Sequence, residues 1–284
     1  MQLSEEPLRP NPPRQDNGPI RPPEPDAPPQ WRMSDDLVMC LRFFSRLPTG
    51  SRPFEAPDLG RMALALPFAS VVIGLGPAVL MVVLALLGVP PWFAAGMGVL
   101  AMILVTGAMP DDAIADAVDG LFGGHSVERR LEIMKDSRHG SYGVAALTLY
   151  IVLRVAAIGG VAAVNPFAAA GIWIAATILA RSGSLWLTHE LPPARSGGAA
   201  AAVGQVGARP FLFGAGFAAL VAFVLAAPAT SLVAVVLALV ATAVIVRGWS
   251  RLCRHLVGGQ TGDLIGALHV LIEIGVLTVL LIFA

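Results

Sequence analysis

The sequence predicts an all-α fold: a polytopic integral membrane helical bundle of about seven transmembrane helices with a cytoplasmic N-terminus. Three observations carry that prediction. The chain has 284 residues, of which 56% are hydrophobic and only 13% charged, and its mean hydropathy is +0.73, far more apolar than a soluble domain. Charges are absent from long stretches, and about 18 or more apolar residues in a row suffice to cross a bilayer. Seven such stretches can be drawn, at 62–87, 91–108, 143–164, 166–187, 211–227, 231–246 and 264–284. Finally, seventeen of the 19 Lys and Arg residues fall before the first stretch or in every second connection after it. That asymmetry is the mark of cytoplasmic loops and puts the C-terminus outside. Only Arg154 and Arg181 fall inside spans.

Residues 1–33 differ from the rest. Ten prolines, from Pro7 to Pro29, alternate with charges, a composition that predicts a disordered cytoplasmic tail, and no charged segment followed by an apolar one marks a secretory signal. Residues 34–284 are predicted to form one transmembrane domain, which carries the candidate catalytic residues described below. At its start Leu37, Val38, Leu41, Phe44 and Leu47 recur at helical spacing, which suits an amphipathic helix lying at the interface or packed on the bundle.

Several function classes drop out. Cys40 and Cys253 are far apart in sequence and form no metal or redox motif. The five histidines show no paired ligand spacing, which sets aside a zinc site. No phosphate-binding glycine motif occurs. With zero net charge and basic residues explained by topology, nucleic-acid binding has no support.

The chemistry concentrates in PDDAIADAVDGLFGGHSVERRLEIMKDSRHGSYG, residues 110–143. Asp112, Asp116 and Asp119 stand at i, i+4 and i+7, within one sector of a helical face. Such carboxylates repel one another unless neutralised, and Mg²⁺ does this while keeping positions open for substrate phosphate. A solvated acidic face is the alternative, which the apolar remainder of the helix disfavours. Asp111 points about 100° away from that face. Lys135, Asp136, Arg138 and Arg195 lie at the same predicted level, as does the Gly258–Asp263 segment, whose Thr261 suits a helix N-cap next to Asp263. Cations and carboxylates at one level suit a bound pyrophosphate. Arg154, Arg181, His269 and Glu273 lie deeper, where an ionisable group must be paired or line a cavity.

These motifs resemble the cobalamin synthase family, the adenosylcobinamide-GDP ribazoletransferases. The resemblance rests on FFSRLP at 43–48, D-x-x-x-D-x-x-D-G at 112–120, LEIMKDSRHGSYG at 131–143, P-A-R at 193–195 and GGQTGDLIGA at 258–267, and it runs from about Leu37 to the C-terminus. Where the family usually has His-x-Asp-Gly, this chain reads Pro110-Asp111-Asp112-Ala113. The metal-ligand aspartates are kept and the histidine is not. What the resemblance implies is a Mg²⁺-dependent transfer late in coenzyme B12 synthesis, in which a hydroxyl of α-ribazole or its 5′-phosphate attacks adenosylcobinamide-GDP and releases GMP. Mg²⁺ would sit on Asp112, Asp116 and Asp119. Lys135 and Arg138 would stabilise the leaving GMP, Asp136 is the candidate base, and Arg154, Arg181, Arg195, Thr261 and Asp263 would bind substrate. Membrane lipid is the other partner, in a bacterial inner membrane with the site facing the cytoplasm, and homo-oligomerisation is left open. A CDP-alcohol-type phosphotransferase acting on a lipid alcohol would share the metal, but its D-x-x-D-G-x-x-A-R pattern is absent. A secondary transporter would need charges across several spans and an internal repeat, and no clear repeat is present.

Overall fold

A computed structural model describes residues 32–50, 57–136, 138–195 and 204–284. The predicted tail lies outside the described residues up to position 31. The described chain is helical, with a single β-bridge between Pro193 and Gln260. Its helices are α1 (Met33–Phe44), α2 (Leu59–Leu86), α3 (Pro91–Thr106), α4 (Met109–Gly123), α5 (Val127–Ile133), α6 (Ser141–Ala162), α7 (Pro166–Ser184), α8 (Trp186–Glu190), α9 (Ala208–Ala226), α10 (Leu232–Leu256) and α11 (Gly262–Leu281).

The helix starts follow the capping rules. Asp58 accepts from Gly60 and Arg61 N–H at the head of α2, and Asn165 accepts from Phe167 and Ala168 N–H just ahead of Pro166 in α7. Ser231 and Thr261 do the same for α10 and α11, accepting from Ala234 and Leu264 N–H. Thr261 is thus the cap its position in the sequence predicts.

Six units are long and apolar enough to cross a membrane: α2, α6, α7 continued through α8, α9, α10 and α11. The second predicted span has a different form. α3 has only 16 residues, about 24 Å of helix, short of a bilayer core of about 30 Å. Gly107 (φ 64°) and Ala108 (φ 59°) then both turn left-handed, and α4 leaves at 86° to α3. The apolar stretch drawn at 91–108 ends at this corner, but its length does not reveal the sharp turn into a second helix. The bent pair is the seventh candidate crossing.

α7 is the central helix. Every residue from Ile172 to Ser184 is buried, the polar Thr177, Arg181, Ser182 and Ser184 included, and it packs against α2, α6, α9, α10 and α11. Outer helices instead present residues such as Leu75, Leu149, Val152, Leu220, Val236 and Val240 outward, a surface suited to lipid. Helix α1 packs on α2 through Met39 and Cys40, which favours the packed form of the two readings for that segment.

Inside the bundle, Glu273 on α11 is 0% exposed and Arg154 on α6 only 2%. Oε1 of Glu273 accepts from Arg154 Nε and Trp173 Nε1, both at 3.1 Å. Oε2 accepts from the Tyr150 hydroxyl at 2.6 Å, with His269 Nε2 at 3.6 Å. Arg154 Nη1 lies 3.8 Å from Asp111 Oδ1. One carboxylate therefore joins α6, α7 and α11, and its arginine extends the network to α4. Removing one member leaves the rest buried and unpaired. Glu273→Leu should lower unfolding stability in detergent by about 3–5 kcal/mol, and adding Arg154→Leu should recover much of the loss. Equal stability of the single variant and the parent would contradict this network's role.

Candidate metal and anion site

Helix α4 begins at the left-handed corner, with Asp112 N–H donating to Ala108 O at 2.8 Å. Its three aspartates share one helix as the spacing predicts, yet their surroundings separate them. Asp112 is exposed, Asp116 half-buried and Asp119 buried. The loop before α6 brings His139 against the first two. His139 Nδ1 lies 3.5 Å from Asp116 Oδ1, and Nε2 lies 3.8 Å from Asp112 Oδ1. One ligand atom from each of these residues falls within 4.8 Å of the others, a group that could hold a metal ion. Two carboxylates and an imidazole fit a divalent cation that retains water or phosphate oxygens in its other positions.

Asp119 has other partners. Its Oδ2 accepts from Gly140 N–H at 2.6 Å and its Oδ1 from Gly143 N–H at 2.9 Å. No side chain of α6's own caps that helix, so Asp119 caps it from α4, where the orphan N–H groups and the dipole favour an anion. The two glycines are required by this approach. A Cβ at Gly140 or Gly143 would fall 2.6 or 2.2 Å from an Asp119 oxygen.

The remaining predicted residues surround this end of the bundle. Asp136 and Arg138 pair with each other, Arg138 Nη2 donating to Asp136 Oδ2 at 2.7 Å and Nε to Oδ1 at 3.0 Å. Hydrogen bonding from the Arg138 side chain holds the Asp136 carboxyl down at about 2, which makes it a weak proton acceptor. Lys135 is exposed. Arg195 Nη2 donates to Leu131 O at 2.6 Å, its Nε has no partner, and the segment carrying it is tied to the loop before α11. There Ala194 N–H donates to Gln260 O and Gln260 N–H to Pro192 O, both at 2.9 Å. Thr261 Oγ1 lies 3.4 Å from Asp263 Oδ2.

A cavity of about 300 Å³ opens beside the metal group. Asp112, Asp263, Arg181, His269, Phe43 and Phe44 are among its lining residues. Arg181 therefore lines the cavity next to Asp112. Arg154 belongs to the buried Glu273 network instead. Asp111, which sequence reasoning set aside as pointing away, is 4% exposed and faces Arg154. His139 is the residue that sequence reasoning missed. Its signal was the position inside DSRHGSYG, directly before α6, rather than any helical spacing.

The division of labour among the aspartates is testable by measuring stability and turnover together. Asp119→Asn turns an amide NH₂ toward a backbone N–H and should cost about 1–3 kcal/mol of stability. Gly143→Ala should also destabilise the protein, by forcing the carboxylate away. Asp112→Asn, at an exposed position, should stay within about 0.5 kcal/mol of the parent while losing turnover. Unfolding midpoints that do not distinguish Asp119→Asn from Asp112→Asn would refute the capping role.

Residues 36–281 match the family described as Cobalamin-5-phosphate synthase. An adenosylcobinamide-GDP ribazoletransferase of Azorhizobium caulinodans is 43% identical over 257 residues, covering 89% of this chain and 97% of that protein. Proteins of the same name from Xanthobacter autotrophicus and Rhizobium meliloti are each 40% identical, covering 89% and 86% of this chain and 97% and 94% of their own. No solved structure matches the chain. The match runs from α1 through α11 and takes in Asp112, Asp116, Asp119 and His139, so the chain belongs to the cobalamin-5-phosphate synthase family.

Proposed function

We propose that the protein joins adenosylcobinamide-GDP to α-ribazole or its 5′-phosphate and releases GMP, in the bacterial inner membrane with the site open to the cytoplasm. The observation that carries this reading is one juxtaposition in a chain with ribazoletransferase relatives. Asp112 belongs at once to the carboxylate–imidazole group and to the wall of a cavity that also holds a buried arginine. The orientation rests on the loop charge asymmetry.

The reaction exchanges one phosphoester bond for another. A ribazole hydroxyl oxygen bonds to the phosphorus nearer the corrinoid, and the bridging P–O bond breaks with its electron pair leaving on GMP. The hydroxyl proton passes to water. Asp112 and Asp116, with His139 beside them, would hold Mg²⁺, which would neutralise the diphosphate. Lys135 and Arg138 stabilise the charge on departing GMP. Asp136 orients Arg138, and with its carboxyl held low it contributes through that pairing. Arg195, Thr261 and Asp263 shape the rim of the site where the 193–195 segment meets the start of α11. Catalysis then runs on positioning and electrostatics, which suffice for phosphoryl-type transfer.

Purified protein given adenosylcobinamide-GDP, α-ribazole 5′-phosphate and Mg²⁺ should yield a cobalamin phosphate and an equal amount of GMP, detected by mass spectrometry. Chelation with EDTA should stop turnover, and added Mg²⁺ should restore it. Absence of both products with folded protein, or consumption of a CDP-linked lipid alcohol instead, would overturn the assignment.

A further inference from the structure

Helices α7, α9 and α10 border a second cavity, of about 480 Å³. On α7 its wall is Leu179, Ser182, Gly183 and Trp186, whereas Arg181, Ser184 and Leu185 line the cavity beside Asp112. The two spaces therefore lie on opposite faces of one helix. Helix α9 packs on α7 and α2 but meets α10 at few points, and the flanking Leu212, Phe213, Val240 and Val244 are exposed. The result is a groove open sideways to the bilayer, where hydrocarbon rather than water is the filling medium.

Its length and its two ends say what fills it. On α10 the wall runs from Leu239 to Arg247, eight residues or about 12 Å, close to the hydrocarbon depth of one leaflet, about 15 Å. At the mouth, Trp186 meets Phe211 from the first turn of α9 with ring centroids 4.9 Å apart, as suits a membrane interface. Arg247, Arg251 and Arg254 recur there at i, i+4 and i+7 on α10. Glu190 Oε1 accepts from Arg254 at 3.1 Å and stands 3.6 Å from Arg247, beyond hydrogen-bond reach. One carboxylate thus faces two guanidinium groups, and the surplus positive charge is complementary to an anionic headgroup.

A polar group also waits inside the groove. Helical serines and threonines commonly donate back to a carbonyl in the preceding turn, and on α7 Thr177 and Ser184 do so. Ser182 does not. It is 3% exposed, lines the groove, and its Oγ has no partner. It sits four residues, about 6 Å, below Trp186, as an ester carbonyl lies below its phosphate.

We propose that this groove binds one anionic glycerophospholipid. An acyl chain lies between α9 and α10, an ester carbonyl accepts from the Ser182 hydroxyl, and the phosphate-bearing headgroup rests at Arg247. The bound lipid fills the gap that α9 and α10 leave, against the face of α7 opposite the cavity beside Asp112.

The test needs no turnover, so its outcome is independent of the reaction assigned above. Full-length protein is placed in phosphatidylcholine nanodiscs containing a little phosphatidylglycerol with a photoactivatable acyl chain. Label should concentrate on peptides spanning 179–186, 211–218 and 239–247, and Ala243→Phe, at an exposed position of the wall, should abolish it. Native mass spectrometry should show phosphatidylglycerol retained about fivefold over phosphatidylcholine, the ratio expected of one basic side chain at a membrane surface. Arg247→Gln should remove that preference and Arg247→Lys should keep it. Ser182→Ala should lower retention of both lipids at least about twofold. Label spread evenly over the outer helices, equal retention of the two lipids, or a preference indifferent to Arg247→Gln would overturn the proposal. So would a Ser182→Ala protein with unchanged retention and a higher unfolding midpoint, since its hydroxyl would then have had nothing to pair with. A dimer cross-linked through position 243 would give the groove to a second copy of the chain and overturn it as well.

Discussion

The fully buried carboxylate of Glu273 is the constraint on which the rest of the molecule depends. An ion enclosed by membrane-spanning helices has no water to fall back on, so its acceptor capacity must be met by the protein. Tyr150, Arg154 and Trp173 meet it from α6 and α7. Each donor is only in place when its helix has the right rotation and depth. Dispersion packing between apolar helices discriminates weakly among registers. A carboxylate with donors converging on both oxygens discriminates strongly, because any slip leaves a buried polar group without a partner.

The same requirement reaches the site. Arg154, once held by Glu273, faces Asp111 at the start of α4, while Asp119 near its end caps α6 through Gly140 and Gly143. Helix α4 is thus fixed near both ends by acidic side chains that face inward. Asp112 and Asp116, lying between them in sequence, remain available beside His139. Four aspartates within nine positions of one helix divide the tasks: helical phase sets Asp111 apart, and the Gly140 and Gly143 N–H groups set Asp119 apart from Asp112 and Asp116. The left-handed corner at Gly107 and Ala108 serves the same end, because it turns the chain from the direction of α3 so that α4 can pack on both α6 and α11.

Much of this was legible in the sequence where the signal is local. Apolar run length located the spans, and the i, i+4, i+7 spacing put three aspartates on one helix. The cap at Thr261 followed from its place before an apolar run. What could not be read depends on tertiary closure. Asp112, Asp116 and Asp119 have the same periodicity, and only the arrival of the α6 N-terminus separates a capping carboxylate from two ligand candidates. His139 lies 20 residues beyond Asp119, on a loop, so no helical spacing relates it to its partners. Asp111 looked inert because its phase differed from the triplet's, whereas in a membrane interior the opposite face of a helix is also packed. The end of α3 was legible, but the 86° turn into α4 was not, because Gly107 and Ala108 are as compatible with a span's end as with a corner.

The central claim is that a divalent cation is held by Asp112 and Asp116 with His139 beside them, and that Asp119 serves the fold. Mn²⁺ reports this directly, since it substitutes at carboxylate sites, accepts imidazole and is visible by electron paramagnetic resonance. The account predicts one tight Mn²⁺ site whose affinity falls at least about tenfold in Asp112→Asn and in Asp116→Asn. In folded Asp119→Asn the affinity should stay within about threefold of the parent's. Histidine labelled with ¹⁵N should give a nitrogen coupling to the bound ion that disappears in His139→Gln. A site that weakens as much in Asp119→Asn as in Asp116→Asn, with no histidine coupling, would contradict the account.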